Sequence, residues 1–387
     1  MGGEAVEPVT AVMGSSAADL DSIAGSVCYA FLLAREAGQA GLIFPFLPIP
    51  RADLSLRTEV VYLFDRVGLN QENLVFADDV DLEQLLMRRQ GKLVLVDDRG
   101  RSLAPALLRR VTEVVDHHAG DRTEPGGVKR AVVGPPGGCP AQSPDGASQR
   151  RSPKRLIVEP VGSACTLVAE QILQRRPEIL DQQSATLLLG AVLLDTVNLD
   201  ADAGRATARD REIAGRLIQA GPVDTADLYD GLVRARFDAG ALSSEQLLKK
   251  DYKEGEAGAV RFGISSVSLL LESWRQRDER LEEALSVFLA EKALDLLVVL
   301  LYRQGEGLRR QLVLCAADEH LLRVVLSRLA GPLGLLELPE AMMGGEESKG
   351  PKLDGERRTV IRGFTQRKTK QSRKRIEPRL REILESL

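Results

Sequence analysis

No apolar run in this 387-residue chain reaches the roughly 18 residues that a membrane-spanning helix needs. The opening "MGGEAVEP" has neither the basic stretch nor the apolar core of a secretion signal. Val6 stands where a myristoylation signal starting at Gly2 requires Ser or Thr. The four cysteines, Cys28, Cys139, Cys165 and Cys315, show no paired spacing, which argues against a disulfide framework or a thiolate zinc site. The net charge of -4 is small for this length and points to no partner by itself. No internal repeat is visible, so a solenoid or propeller is not expected. These absences predict a cytoplasmic protein with reduced thiols and no membrane partner.

What is present is a globular composition, 44% hydrophobic, in a chain long enough for two domains and a sizeable core. In the N-terminal half, short apolar runs ("VTAVM", "LIFPFLPI", "LVF", "KLVLVDD", "RVTEVV") alternate with helical patterns over 21–38, 54–67 and 81–89. That rhythm predicts a mostly parallel α/β sheet. "RLIVEPVGSACTLVAEQILQR" adds a further strand and helix, and "DQQSATLLLGAVLLDTVNLD" reads as a helix apolar all round and therefore buried. Residues 119–154 are rich in Gly, Pro, Arg and Ser and read as a disordered surface insertion. Beyond residue 205 the chain turns polar and helical. A second α/β pattern begins near 226, with "AGAVRFGISSVSLL", "LDLLVVLLY" and "LRRQLVLCA" as strands of a mixed sheet, helices over 270–290 and 317–330, a loop at "EAMMGGEESKGPKLDGE" and a terminal helix. Val360 to Ile376 carries seven basic residues and no acidic one. A solvated patch or a nuclear address is one reading of that stretch, and phosphate binding is another.

Acids and histidines gather at strand ends: Asp19 and Asp21 after the first strand, Asp97 and Asp98 after "KLVLV", and Asp116, His117 and His118 after "VTEVV". Asp195 sits in the apolar helix, where a carboxylate is costly unless paired or metal-bound. In open α/β sheets ligands bind beyond the carboxyl ends of the strands. A lone D-x-D there is also an ordinary helix cap; the joint occurrence of these groups carries the metal reading. Carboxylates about 4 Å apart repel by about 4 kcal/mol at an effective dielectric of 20. Their pKa values must rise or a cation must sit between them. Aspartates and one histidine suit Mn, Mg or Co rather than a thiolate metal, and two such ions would suit phosphoryl transfer.

The ordered series D-L-D (19–21), V-D-D (96–98), D-H-H (116–118) and L-L-D-T-V-N (193–198) resembles the DHH phosphoesterase superfamily. "EPVGSACTLVAEQIL", "LSSEQLLKKDYK" and the C-terminal "SRKR" are similar to its prune-type exopolyphosphatases, whose cousins are the manganese-dependent family II inorganic pyrophosphatases. The resemblance covers almost the whole chain outside 119–154. It implies a DHH domain with a mainly parallel sheet over 8–215, a linker over 216–235, and a DHHA2-type domain with a mixed sheet over 226–387, the active site lying in the cleft between them. It further implies two ions, Mn2+ or else Mg2+ or Co2+. Asp19 and Asp97 would hold one, and Asp21, Asp97, His117 and Asp195 the other, with Asp97 bridging. His118 would face the substrate and protonate a leaving oxygen, while Lys253, Arg373 and Lys374 would grip phosphate. The activity implied is release of terminal phosphate from short polyphosphates. A cyclic-nucleotide phosphodiesterase and a weakly active regulator that binds other proteins are the alternatives; nucleic acid is not an expected partner.

Two positions depart from the family pattern. Ser15 stands four residues before Asp19, where relatives carry His or Asn, and a hydroxyl is a poorer ligand. Asp98 follows the bridging Asp97 where relatives often have His or Asn, which would add negative charge beside the metals.

Overall fold

Among the described residues of the N-terminal part, aliphatic and β-branched runs form six strands: β1 (Val9–Met13), β2 (Leu42–Leu47), β3 (Val75–Phe76), β4 (Lys92–Val96), β5 (Val111–Asp116) and β6 (Arg155–Val158). The computed structural model describes residues 7–118, 153–238, 240, 242–303, 307–339, 349–353 and 357–387. The insertion expected over 119–154 therefore lies outside the described residues, apart from 153 and 154. The chain divides into two compact units, Met1–Arg236 and Phe237–Leu387.

In the first unit all strand pairings are parallel, in the order β3-β2-β1-β4-β5-β6. The chain winds one way from β1 through β3 and the other way from β4 through β6. The order thus reverses between β1 and β4, where Met13 lies opposite Leu95. Such a switch point opens a crevice at the carboxyl rim, and the segments after β1, β4 and β5 all emerge there. The helices are α1 (Leu20–Ala37), α2 (Thr58–Val67), α3 (Leu82–Arg88), α4 (Pro105–Leu108), α5 (Ala164–Arg175), α6 (Gln182–Asp195), α7 (Ala208–Ala220) and α8 (Thr225–Phe237). As its composition requires, α6 is buried continuously from Ser184 to Leu194. Gly25 brings α1 close to the end of β4, since a Cβ there would stand 2.8 Å from Val96 Cγ1.

The second unit holds β7 (Tyr252–Ala257), β8 (Val260–Val267), β9 (Leu296–Arg303), β10 (Arg309–Ala316), β11 (Leu335–Glu337), β12 (Lys349–Leu353) and β13 (Arg357–Gln366). Their order is β11-β13-β10-β9-β8-β7, with β12 also pairing β13. Only β8 and β9 run parallel among the described pairings, joined through α10 (Leu271–Arg277) and α11 (Leu281–Glu291) as a parallel crossover demands. Trp274 and Phe288 from those helices fill the core on one face. On the other, Val325 and Leu329 of α12 (Glu319–Leu333) pack with Leu380 of α13 (Arg373–Glu385). Helix α9 (Ser244–Lys250) precedes β7. The mixed sheet expected for this half is present.

Three local readings change. Residues 216–235, expected as a linker, lie mostly in α7 and α8, whose Leu217, Leu228 and Leu232 are buried in the first unit's core. The loop at 340–356 contains β12, held by pairing to β13 rather than by any apolar pattern of its own; its other residues lie outside the described set. The helix over 270–290 is two helices broken around Asp278–Arg280.

A candidate metal centre at the rim of the parallel sheet

The turn from β1 into α1 places two acids in different settings. Asp19 is the N-cap of α1, its Oδ1 accepting from the Ser22 N–H at 3.1 Å, and it is exposed. Asp21 is buried. Its Oδ1 accepts from Ser163 Oγ (2.5 Å) and Cys165 N (2.9 Å), and its Oδ2 from Ala164 N (2.7 Å). It therefore sits on the positive N-terminus of α5, which favours an anion.

Asp97 follows β4 with φ of 57°, a left-handed backbone that few non-glycine residues adopt. The Asp97 N–H donates to the Val115 carbonyl (2.8 Å), and Oδ2 accepts from Ser22 Oγ (2.5 Å). Its Oδ1 is buried and accepts no hydrogen bond among the described residues. His117 Nδ1 lies 3.0 Å from the Val161 carbonyl. A carbonyl only accepts, so Nδ1 carries the proton, and Nε2 is turned to Asp97 Oδ1 (3.3 Å) and Asp21 Oδ2 (3.7 Å). A ring fixed through its outer nitrogen in this way is the usual arrangement of a metal-ligating histidine. His118 Nδ1 meets Asp116 Oδ1 at 2.8 Å, and the buried Asp116 is held in turn by Arg99 Nε at 2.5 Å. Arg99 also donates to the His118 carbonyl.

Asp195 is the last residue of α6 rather than an interior one, and its buried Oδ2 has no hydrogen-bond partner among the described residues. The backbone beyond it is strained. Val197, Asn198 and Leu199 all have φ between 55° and 60°, at a cost of roughly 1–2 kcal/mol per residue. Hydrogen bonds fix the turn: Leu199 N to Thr196 Oγ1 (3.1 Å), Asn198 N to the Leu193 carbonyl (2.7 Å) and Arg211 Nη2 to the Leu199 carbonyl (3.3 Å). Strain that the surroundings hold in place is common at functional sites.

Asp19, Asp21, Asp97, His117, His118 and Asp195 line one cavity of about 370 Å³. Ligand atoms of Asp97, His117 and His118 all lie within 4.8 Å of one another. The electrostatics are those of acids crowded without a cation. Burial, and then the Asp97 charge, raise the Asp21 pKa above the ordinary carboxylate value. Burial followed by the charges of Asp21 and Asp19 pushes Asp195 well above it. Burial alone would pull His117 down, but Asp97 and Asp21 hold it up at about 10. Two orphaned carboxylate oxygens beside an imidazole that presents Nε2 form a donor set suited to a borderline divalent ion such as manganese.

The other expected residues fall elsewhere. Asp98 turns away: its Oδ1 accepts from Gly100 N at 2.8 Å, and it lines a second cavity. Ser15 Oγ bonds Ser22 Oγ at 2.7 Å, so it meets Asp97 through Ser22. In the second unit, Lys253 is exposed on β7 and Lys374 is exposed in the first turn of α13. Arg373 opens α13 and donates to Asp251, to its carboxylate at 2.6 Å and its carbonyl at 3.0 Å, which fixes that end of the helix two residues from Lys253. The sequence offers no signal for Ser22, Ser163 or Arg99 as site residues, and it marks Asp116 as a strand-end acid without giving it a role. A serine in the first turn of a helix reads as a cap, and only the pairing of β4 with β5 brings Arg99 to Asp116.

A DHHA2 domain model matches residues 230–383. Exopolyphosphatase PRUNE1 of Homo sapiens is 34% identical over 314 residues, which are 80% of this chain and 63% of that protein. Exopolyphosphatase PRUNE1 of Rattus norvegicus is 31% identical over 386 residues, 97% of this chain and 76% of that one. A Bacillus velezensis protein bearing the name "Probable manganese-dependent inorganic pyrophosphatase" is 28% identical over 144 residues, 37% of this chain and 46% of its own length. The match to the human protein thus spans less than two thirds of that relative.

Proposed function

The chain belongs to the DHH phosphoesterase superfamily as a prune-type member with a DHHA2 domain, and on that premise we propose that it is a metal-dependent exopolyphosphatase that releases terminal phosphate from short polyphosphates. The observation that carries this reading is the pair of buried carboxylate oxygens, Asp97 Oδ1 and Asp195 Oδ2, which accept no hydrogen bond among the described residues and share one cavity with His117. The relatives' names, exopolyphosphatase and manganese-dependent pyrophosphatase, support the reaction class and the use of a divalent metal.

Asp19 and Asp97 are assigned to one ion, and Asp21, Asp97, His117 and Asp195 to a second. When bound, such ions neutralise phosphoryl oxygens and acidify the attacking water. The residues' own work is positioning. Ser22 holds one oxygen of Asp97 and leaves the other to the cavity. The Asp116 carboxylate accepts from His118 Nδ1, which leaves Nε2 to carry a proton to the departing phosphate oxygen. Burial would raise the Asp116 pKa, but the hydrogen bonds from His118 and Arg99 bring it below the ordinary value, so it stays an acceptor. In the second unit Lys253, Arg373 and Lys374 are the assigned phosphate-binding cations. Arg373 gives one nitrogen to Asp251 and keeps further N–H donors of its fork for an anion.

The test is phosphate release from tripolyphosphate and pyrophosphate, and conversion of cyclic AMP to AMP, by chelator-treated protein, with and without added Mn2+. Tripolyphosphate hydrolysis that requires the metal is the expected result. Hydrolysis of cyclic AMP alone would replace this reading with a phosphodiesterase, and no turnover on any substrate would contradict it.

A further inference from the structure

Among the described residues, Arg205 is the one Lys or Arg that lines the acidic cavity. It is exposed, and among the described residues it makes no ion pair or hydrogen bond, although four aspartates line the same space. Its neighbours behave differently. Arg209 Nε bonds Glu170 Oε1 at 2.7 Å and Arg209 Nη1 reaches Glu159 at 3.7 Å. Arg211 donates to the carbonyls of Leu199, Ala206 and Thr207. A guanidinium beside so many carboxylates would collapse onto them if its backbone were free to follow.

The backbone is not free. Thr207 caps α7, and the Asp210 Oδ2 accepts from Thr207 N (2.7 Å), Thr207 Oγ1 (2.7 Å) and Gly162 N (2.8 Å). Gly162 also lines the cavity, and a Cβ there would stand 2.9 Å from the Arg205 carbonyl oxygen. Bare glycine thus lets the Arg205 backbone press against the segment that leads into α5. The Arg205 backbone is held at the cavity and its charge is left unspent.

From this geometry we infer that Arg205 is a phosphate-binding residue contributed by the first unit: its fork takes non-bridging oxygens of a phosphate group once cations have neutralised the aspartates. The inference deepens the phosphohydrolase reading and rests on it for the substrate class. Guanidinium geometry matches two phosphate oxygens at once, which an ammonium cannot do.

The test uses the full chain and the variants Arg205→Ala and Arg205→Lys. Manganese uptake by the metal-free protein, followed by calorimetry, should be the same in all three. The KM for tripolyphosphate should rise about 10- to 100-fold in Arg205→Ala, the span expected for one charge-assisted contact, with kcat changed much less. Arg205→Lys should recover only part of that loss. Binding of inorganic phosphate to the manganese-loaded protein should weaken in parallel, and this can be read even if the wild type turns over none of the polyphosphates, so failure of the functional reading is separable from failure of this one. Unchanged KM and unchanged phosphate affinity in Arg205→Ala would overturn the inference. So would loss of manganese uptake, because Arg205 would then be ordering the acids rather than meeting an anion.

Discussion

Two cavities open on the same rim of the parallel sheet, and both are lined by acids. The larger, about 600 Å³, has Asp78, Asp79, Asp81 and Asp98 around apolar walls that include Met13, Phe46 and Leu103. Each of its aspartates is occupied. Asp79 holds the Arg51 guanidinium at 2.6 Å, Asp78 accepts from Arg51 N, Asp81 caps α3 and Asp98 closes a turn onto Gly100. The hydrogen bond from Arg51 keeps Asp79 below its ordinary pKa. In the smaller cavity the shifts run the other way at Asp21 and Asp195, and two buried oxygens accept no hydrogen bond among the described residues. Acidity is shared; what differs is satisfaction. Buried polar groups that the fold leaves unpaired need a reason, and a resident cation is the one that fits the smaller site.

The sharpest way to break that contrast is to remove one acid from each cavity. Asp97→Ala should lower kcat for tripolyphosphate by about 10³-fold or more, as expected where charge stabilisation of the transition state is lost. Asp79→Ala should leave kcat within about twofold of wild type, the scale of a surface change. Equal losses would mean that pairing does not distinguish the two sites. His118→Asn should come next, with a loss of about 10²–10⁴-fold in kcat, the range for a general acid, while manganese uptake persists. Loss of the metal along with the rate would make His118 a ligand.

Much of the first unit was legible because its signals are local. Apolar runs mark strands buried on both faces, as β4 with four of its five residues buried, and an unpaired acid at a strand's end is visible without any fold. The D-H-H and D-L-D motifs pointed to the cavity that His117, Asp97 and Asp21 line together. Less was legible where tertiary contact decides. Asp98 reads as added negative charge beside the metals, yet its carboxylate turns onto Gly100, and Ser15 reads as a poor ligand where relatives carry His or Asn, yet its hydroxyl bonds Ser22, which in turn bonds Asp97. The edge strand β7, "YKEGEA", is mostly solvent-facing and polar, so it carries no core pattern. Strand β12 contains Gly350 and Pro351 and owes its form to β13. The helical stretch 208–237 reads as polar, yet it buries single apolar residues at helical spacing against α6 and its neighbours.

A gentler effect should appear in the pH dependence of stability. In metal-free protein Asp21 and Asp195 hold their protons more tightly folded than unfolded, and so does His117, whose pKa moves from 6.5 to about 10. A raised folded pKa stabilises fully below the unfolded value and loses that stabilisation as the pH climbs through the folded one. All three groups therefore make the metal-free protein less stable as the pH rises, the acids from above 3.8 and His117 between 6.5 and about 10. Metal ligands must shed their protons, so stabilisation by manganese should grow over the same range. The Tm gained on adding Mn2+ should be larger near neutral pH than in mild acid. A gain that is equal or larger in acid would place the ion away from these residues.

The most direct measurement is a titration of chelator-treated protein with Mn2+, following free ion by electron paramagnetic resonance, in wild type and in Asp97→Ala. If the smaller cavity is the metal centre, wild type takes up Mn2+ saturably and phosphate release rises in step with occupancy, while Asp97→Ala, though folded, loses that uptake. Equal uptake by both proteins would contradict the account at its centre, because the orphaned oxygen of Asp97 would then have no cation to meet.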